Sequence, residues 1–129
     1  MSFRPALREL VLRAPGARGA VFCDGHGESV DLAVAEPPPS GCEGLSEYDL
    51  KLTGAQVAPA WLSLDAGSVE RGAGKAVELQ LRCDKGWVLC RALREDYYLV
   101  LVLAPDRPPA AAAAFALREA AARVLADLT

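Results

Sequence analysis

The run Tyr97-Tyr98-Leu99-Val100-Leu101-Val102-Leu103 is uncharged and does not alternate. A strand with one wet face alternates polar and apolar side chains, so this run is predicted to be a central strand covered on both faces. Upstream, Val77, Leu79, Leu81 and Cys83 alternate with Glu78, Gln80 and Arg82. That pattern predicts a strand over 76–83 with one apolar face. Asp84-Lys85-Gly86 is a tight turn, 87–93 reads as the next strand, and Arg94-Glu95-Asp96 turns the chain into the central run. Three strands joined by two short turns make an antiparallel meander. An earlier hairpin is predicted from 18–23 and 28–34, around Asp24-Gly25-His26-Gly27, whose residues accept positive φ.

Helical spacing appears three times. Phe3, Leu7, Leu10, Val11 and Ala14 make one stripe, with Ser2 as N-cap, Pro5 in the first turn and Pro15-Gly16 as the stop. Pro108-Pro109 and an alanine-rich run start a last helix. Its apolar face is Ala114, Leu117, Ala121, Val124 and Leu128, and Arg118, Glu119, Arg123 and Asp127 mark the wet one. The segment 45–66 starts at Ser46 with Glu47 and Asp49 in its first turn. It carries two apolar stripes, one of Leu45, Tyr48, Leu52, Ala55, Leu62 and Ala66, the other of Leu50, Val57, Trp61 and Leu64. A helix apolar on two faces is buried on two sides. The sheet supplies one side, and a second copy of the chain is the simplest supplier of the other. Gly54 and Pro59 oppose a helix interior, proline by about 3 kcal/mol, so a kink near Pro59 or two shorter helices are predicted. The segment 36–44, with Pro37-Pro38-Pro39, reads as a surface loop, and 104–108 as the linker to the last helix.

The predicted order is helix, strand, strand, helix, strand, strand, strand, helix, in one domain over 1–129. A five-stranded, mostly antiparallel sheet with its most apolar strand in the middle needs helices on both faces. This is a three-layer α/β/α architecture of the α+β class, with the first and last helices on one face and the middle helix on the other.

Composition narrows the function. A net charge of −3 argues against nucleic acid, where a basic face is expected. No apolar run approaches the ~18 residues of a membrane span. The start Met1-Ser2-Phe3-Arg4-Pro5 lacks a signal pattern, so the expected location is cytoplasmic. The cysteines Cys23, Cys42, Cys83 and Cys90 form no Cys-x-x-Cys pair, and His26 is the one histidine. No metal site is expected, and Cys23 and Cys90 read as small core hydrophobes.

Candidate chemistry is sparse. His26 has no nucleophile beside it except Cys23, and a Cys–His pair also needs an orienting group. The tip Asp24, Gly25, His26 is a possible contact point for a partner; a solvated turn is the plainer reading. Gly67 and Gly72 have phosphate-loop spacing, but Ala73 stands where the lysine should be, and Gly74-Lys75 precedes Ala76 rather than a hydroxyl residue. Nucleotide binding is rejected there in favour of a flexible connector. Trp61 suits an interface anchor or the core equally. Arg71 and Arg94 sit in predicted loops, where an arginine finger would have to be. No catalytic constellation emerges, so the chain reads as a non-enzyme without a cofactor.

The element order resembles the Roadblock/dynein light chain domain. So do Met1-Ser2-Phe3-Arg4, the entry Ala20-Val21-Phe22-Cys23-Asp24-Gly25 into the hairpin, and the stretch from Arg94-Glu95-Asp96 through Leu103. Within that family the chain looks most like bacterial single-domain members that work with small Ras-like GTPases in cell polarity and gliding motility. It is closer to the C than the B member of the Mgl group. The resemblance implies a homodimer in which the middle helix and third strand meet their copies. The residues implied are Tyr48, Leu52, Val57, Trp61, Leu64, Val77, Leu79 and Leu81. It also implies an adaptor that binds other Roadblock proteins or regulators of such a GTPase. Gly54, Pro59 and the triple proline depart from the family pattern. Direct stimulation of a GTPase, and a small-molecule sensor of profilin- or PAS-like type, are the alternatives.

Overall fold

The computed structural model describes residues 2–94, 97–105 and 110–128. Its elements are α1 (Arg4–Arg13), β1 (Ala17–Asp24), β2 (Ser29–Val34), α2 (Glu47–Glu70), β3 (Glu78–Cys83), β4 (Gly86–Arg94), β5 (Tyr97–Leu103) and α3 (Ala110–Leu128). The predicted order holds throughout. Glu95-Asp96 of the turn into β5 and Pro108-Pro109 before α3 lie outside the described residues, as does most of the expected 104–108 linker.

The five strands form one antiparallel sheet in the order β2-β1-β5-β4-β3. The uncharged run is thus the third of five strands, paired with β1 on one side and β4 on the other. Its side chains feed two separate cores. Leu99, Leu101 and Leu103 pack with Phe22 and Leu89 under α1 and α3; Tyr98 and Val100 pack with Val21, Cys23 and Cys90 under α2. This is why the run cannot alternate: both faces are covered.

Local chemistry sets the helix ends. At α2, the Ser46 hydroxyl accepts from the Asp49 N–H (3.0 Å) and the Asp49 carboxylate accepts from the Ser46 N–H (3.4 Å), a reciprocal cap. At α1 the cap residue is Phe3, not Ser2, and its side chain caps nothing. Asp31 on β2 serves instead, accepting from the Phe3 N–H (3.2 Å) and from Arg4 Nε (3.1 Å), while the Ser2 hydroxyl accepts from the Arg4 N–H (3.2 Å). On the outer layer, Glu9 and Arg123 join α1 to α3, with Arg13 also close to Glu119.

α2 corrects one expectation. Two shorter helices do not form: α2 is one unbroken helix through Pro59, and it ends at Glu70, beyond the predicted 66. Proline removes one hydrogen bond, to the Ala55 carbonyl. The stripe Leu50, Gly54, Ala58, Trp61 is buried on the sheet to both sides of Pro59, so tertiary packing offsets the local cost.

Candidate interaction surface

α2 reaches the sheet through small residues. A Cβ built on Gly54 would lie 3.5 Å from the Cys23 side chain and 3.6 Å from Val21. With Ala58 also fully buried, the helix axis comes close to β1. α2 therefore lies chiefly over β1 and β2, Cys90 of β4 is still buried beneath it, and the edge strand β3 is the part of this face left most exposed. Register places Leu79 opposite Cys90 and Leu81 opposite Val88, so these side chains share the face on which α2 lies. Beyond the edge of α2, Val77 is 55% and Leu81 52% exposed.

The helix adds to this strip. At 100° per residue, Leu62 and Val69 flank the buried stripe on one side, and Val57 and Leu64 on the other. Leu62 shares a cleft with Trp61, Ala76, Val77 and Ala92, at the end of the sheet where β3 begins. Leu62 is 49% and Val69 51% exposed. Leu62 and Val77 thus share one cleft, and Leu79 and Leu81 continue along β3, an edge strand that among the described residues pairs with β4 alone. Tyr48 and Leu52 are exposed on the back of the helix.

The expected interface residues therefore divide. Val77, Leu79 and Leu81 line the open strip. Leu64 and Val57 sit on the flank of α2 opposite Leu62, Leu64 exposed and Val57 half-buried against the α2-side core. Trp61 belongs to the core of its own chain: it is 3% exposed and its ring packs at a tilt against Tyr98 with centroids 5.4 Å apart. Leu62 and Val69 were absent from the expected set. Their signal was available in the helical spacing, but Gly54 and Ala58 hid which stripe faces the sheet.

The hairpin tip is committed to its own structure. Asp24 Oδ1 accepts from the His26 N–H (2.9 Å) and the Glu28 N–H (3.0 Å), closing the turn, while the His26 side chain is exposed. The connector after α2, expected to be flexible, makes several hydrogen bonds back to the end of the helix. The Ser68 hydroxyl donates to the Gly74 carbonyl (2.9 Å), the Ala73 N–H to the Ser68 carbonyl (2.8 Å), and Asp65 Oδ1 accepts from the Ala76 N–H (2.6 Å).

Ionisable groups support architecture. Burial pushes the Cys23 thiol up to about 12, with the charge of Asp24 adding to it, and burial likewise raises Cys90. Neither is a ready nucleophile at neutral pH. On the far face of β3, Glu78 meets Arg91 (3.1 Å) and Arg118 (3.3 Å) and so ties the edge strand to α3. Burial disfavours its charge, but Arg118, Gln80 and Arg91 outweigh that and hold the carboxyl below its usual range. Among the described residues no group of three or more His, Cys, Asp or Glu side chains could hold a metal. Among them, too, no helix is long and apolar enough to cross a membrane.

No protein-family model matches the chain, and no curated protein does. Solved structures do. A Roadblock/LC7 domain from Streptomyces avermitilis superposes with a TM-score of 0.79 at 14% identity, over 95% of this chain and 94% of that one. The chain has the Roadblock/LC7 fold. Two further Roadblock-fold structures, both Mgl proteins, match it over nearly their whole length. The gliding protein MglB from Thermus thermophilus has a TM-score of 0.79 at 19% identity, over 97% of this chain and 89% of that one. MglC from Myxococcus xanthus has a TM-score of 0.67 at 25% identity, over 98% and 99%. Shape favours MglB and sequence favours MglC. TM-score responds to how helices are set on the sheet, whereas identity counts side chains directly, so the two need not rank relatives alike.

Proposed function

We propose that this chain is a non-catalytic, homodimeric adaptor of the Mgl type. It acts in the cytoplasm on the regulators of a small Ras-like GTPase that governs cell polarity or gliding motility. The observation that carries this reading is the exposure of Val77 and Leu81 along the free edge of the sheet, with Leu62 of α2 exposed in the cleft beside Val77. A soluble monomer gains nothing from exposing a long apolar edge, which invites pairing with another chain. A second copy related by a twofold axis offers the same strip in return. The 25% identity with MglC agrees with the C-type resemblance of the sequence, and that resemblance implies an adaptor in preference to direct GTPase stimulation.

Size-exclusion chromatography with light scattering tests the first part. A dimer at micromolar concentration is expected, and a monomer there would sink the homodimer. Single-turnover GTP hydrolysis by the Ras-like GTPase encoded in the same genome tests the second. An unchanged rate is expected, with binding of this chain to the organism's other Roadblock proteins. Acceleration by this chain alone would replace the adaptor with an activator.

A further inference from the structure

The sheet has a second free edge, at β2, on the opposite side from β3. The Ala35 N–H donates to the Arg18 carbonyl (3.0 Å), and the register pairs Ala33 with Ala20. Antiparallel ladders alternate, so Ala33 and Ala35 turn their backbone groups toward β1, and Leu32 and Val34 turn theirs outward. The Leu32 N–H is sealed by its neighbour, the Asp31 carboxylate (3.0 Å). Nothing equivalent seals Val34 among the described residues.

A trough runs along this edge. One cavity, of about 310 Å³, lies between Arg4 and Arg8 of α1, the strand residues Ala33 and Val34, and the Leu45–Glu47 start of α2. A second, of about 620 Å³, continues it past Val11, Leu12, Pro15, Pro37 and Pro39. Arg8, Val34 and Glu36 line both, which makes the two continuous. Leu12 is 85% exposed. Arg4 is held by Asp31, whereas the Arg8 side chain has no ion pair or hydrogen bond among the described residues. Glu47 stands on the opposite wall, and Glu36 lies where the two cavities meet.

We infer that this trough binds an extended segment of a partner protein, added to β2 as a sixth strand, with acidic side chains at alternate positions. The charge layout decides the occupant. Successive side chains of a strand point to opposite faces. The face turned to α1 meets Arg8, whose guanidinium is unpaired among the described residues and selects a carboxylate, whereas Arg4 is already held by Asp31; the face turned to α2 meets Leu45, Ser46 and Glu47, which reject one. A uniformly acidic segment is therefore disfavoured as well as a basic one. The outward N–H and C=O of Val34 supply the pairing groups, in the manner of β-strand addition. The site lies away from β3, so it stands or falls independently of the homodimer.

The test uses the full chain and three fluorescein-labelled octapeptides: alternating Glu and Thr, alternating Lys and Thr, and all Glu. Fluorescence anisotropy is expected to rank Glu/Thr first, about tenfold tighter than Lys/Thr, as one charge-assisted contact provides. Arg8→Glu is expected to reverse that ranking. Val34→Pro removes the pairing N–H at an edge position that tolerates proline; it is expected to abolish binding with the melting temperature retained. In hydrogen exchange, the Glu/Thr peptide is expected to slow the Val34 amide. Equal binding of all three peptides, an unchanged ranking with Arg8→Glu, or protection of β3 instead of β2 would each overturn the inference.

Discussion

The backbone of Gly27 lies against the backbone of Ala55. A Cβ on Gly27 would stand 2.8 Å from the Ala55 Cα and 3.2 Å from its carbonyl oxygen, and Gly27 itself has a φ of +84°. The β1–β2 hairpin is thereby locked beneath the middle of α2. Gly27→Ala meets both a steric clash with backbone and a left-handed conformation that costs an L-residue about 1–2 kcal/mol. A loss of about 2–4 kcal/mol is expected with overpacking included. Urea unfolding followed by circular dichroism measures it; a change below about 0.5 kcal/mol, the range of a neutral surface substitution, would contradict the contact.

Pro59 is the residue whose missing N–H leaves that same Ala55 carbonyl without its helical partner. Pro59 is exposed, so replacing it leaves no cavity. Pro59→Ala restores a donor and a strong helix former. A gain of about 1–3 kcal/mol is expected. If α2 depended on the proline for its seat on the hairpin, the same denaturation experiment would show a loss.

Leu62→Glu places a charge in the cleft beside Val77, and Leu81→Glu places one on the exposed edge strand β3. Both side chains are about half exposed in the single chain. The melting of a dilute, monomeric sample is therefore expected to shift by no more than about 0.5 kcal/mol. Dimerisation is expected to weaken by tenfold or more in sedimentation equilibrium, since a charge is buried without a partner at each of two symmetric positions. Leu64→Glu, on the flank of α2 opposite Leu62, is the comparison, and a larger effect there than at Leu62 would move the interface to that flank.

Asp31 links the start of α1 to β2, and its titration should be visible. Burial works against its charge, but hydrogen bonds from the Leu32 N–H, Arg4 and the Phe3 N–H outweigh that and hold its carboxyl below the usual range. The folded value thus lies under the unfolded value of about 3.9. The stabilisation is complete above the unfolded value and is lost as pH falls through the folded one. Asp31→Asn is expected to cost about 1–2 kcal/mol at neutral pH and to flatten stability below about pH 4. Arg4 is 41% exposed, so solvent screening reduces its share. Glu78, shifted the same way, retains its own acid sensitivity in this variant. Parallel pH–stability curves for the two proteins would exclude the role of Asp31.

The sheet was legible where side chains are large and periodic. Tyr97–Leu103 announces a two-sided strand, and the alternation from Val77 to Cys83 announces a one-sided one. The seat of α2 was not legible, because its contact stripe includes Gly54 and Ala58. Hydrophobic periodicity weighs bulk, and here the closest approach is made by the residues with least of it. The larger Leu62 and Val69 are pushed to the flank, and Trp61 turns inward to fill the space beside Tyr98. Pro59 misled for a related reason: propensity is local, and the packing that overrides it comes from a hairpin more than thirty residues earlier in the sequence, a distance no local pattern spans. The trough at β2 depends on which backbone groups face outward, and that is settled by register, not composition.

The position of β5 has a consequence for how the chain is made. β1 and β2 form one hairpin, β3 and β4 another, and each can close as soon as it is synthesised. Neither touches the other without β5, which enters between β1 and β4 and arrives late in translation. Until then the nascent chain carries two half-sheets, each with an inner edge as open as its outer one. Chains truncated before Tyr97 should therefore be captured by chaperones or aggregate rather than persist as smaller folded units. Closure by the last strand joins the two half-sheets under both cores, and α3, which follows it in the chain, then completes the core it shares with α1.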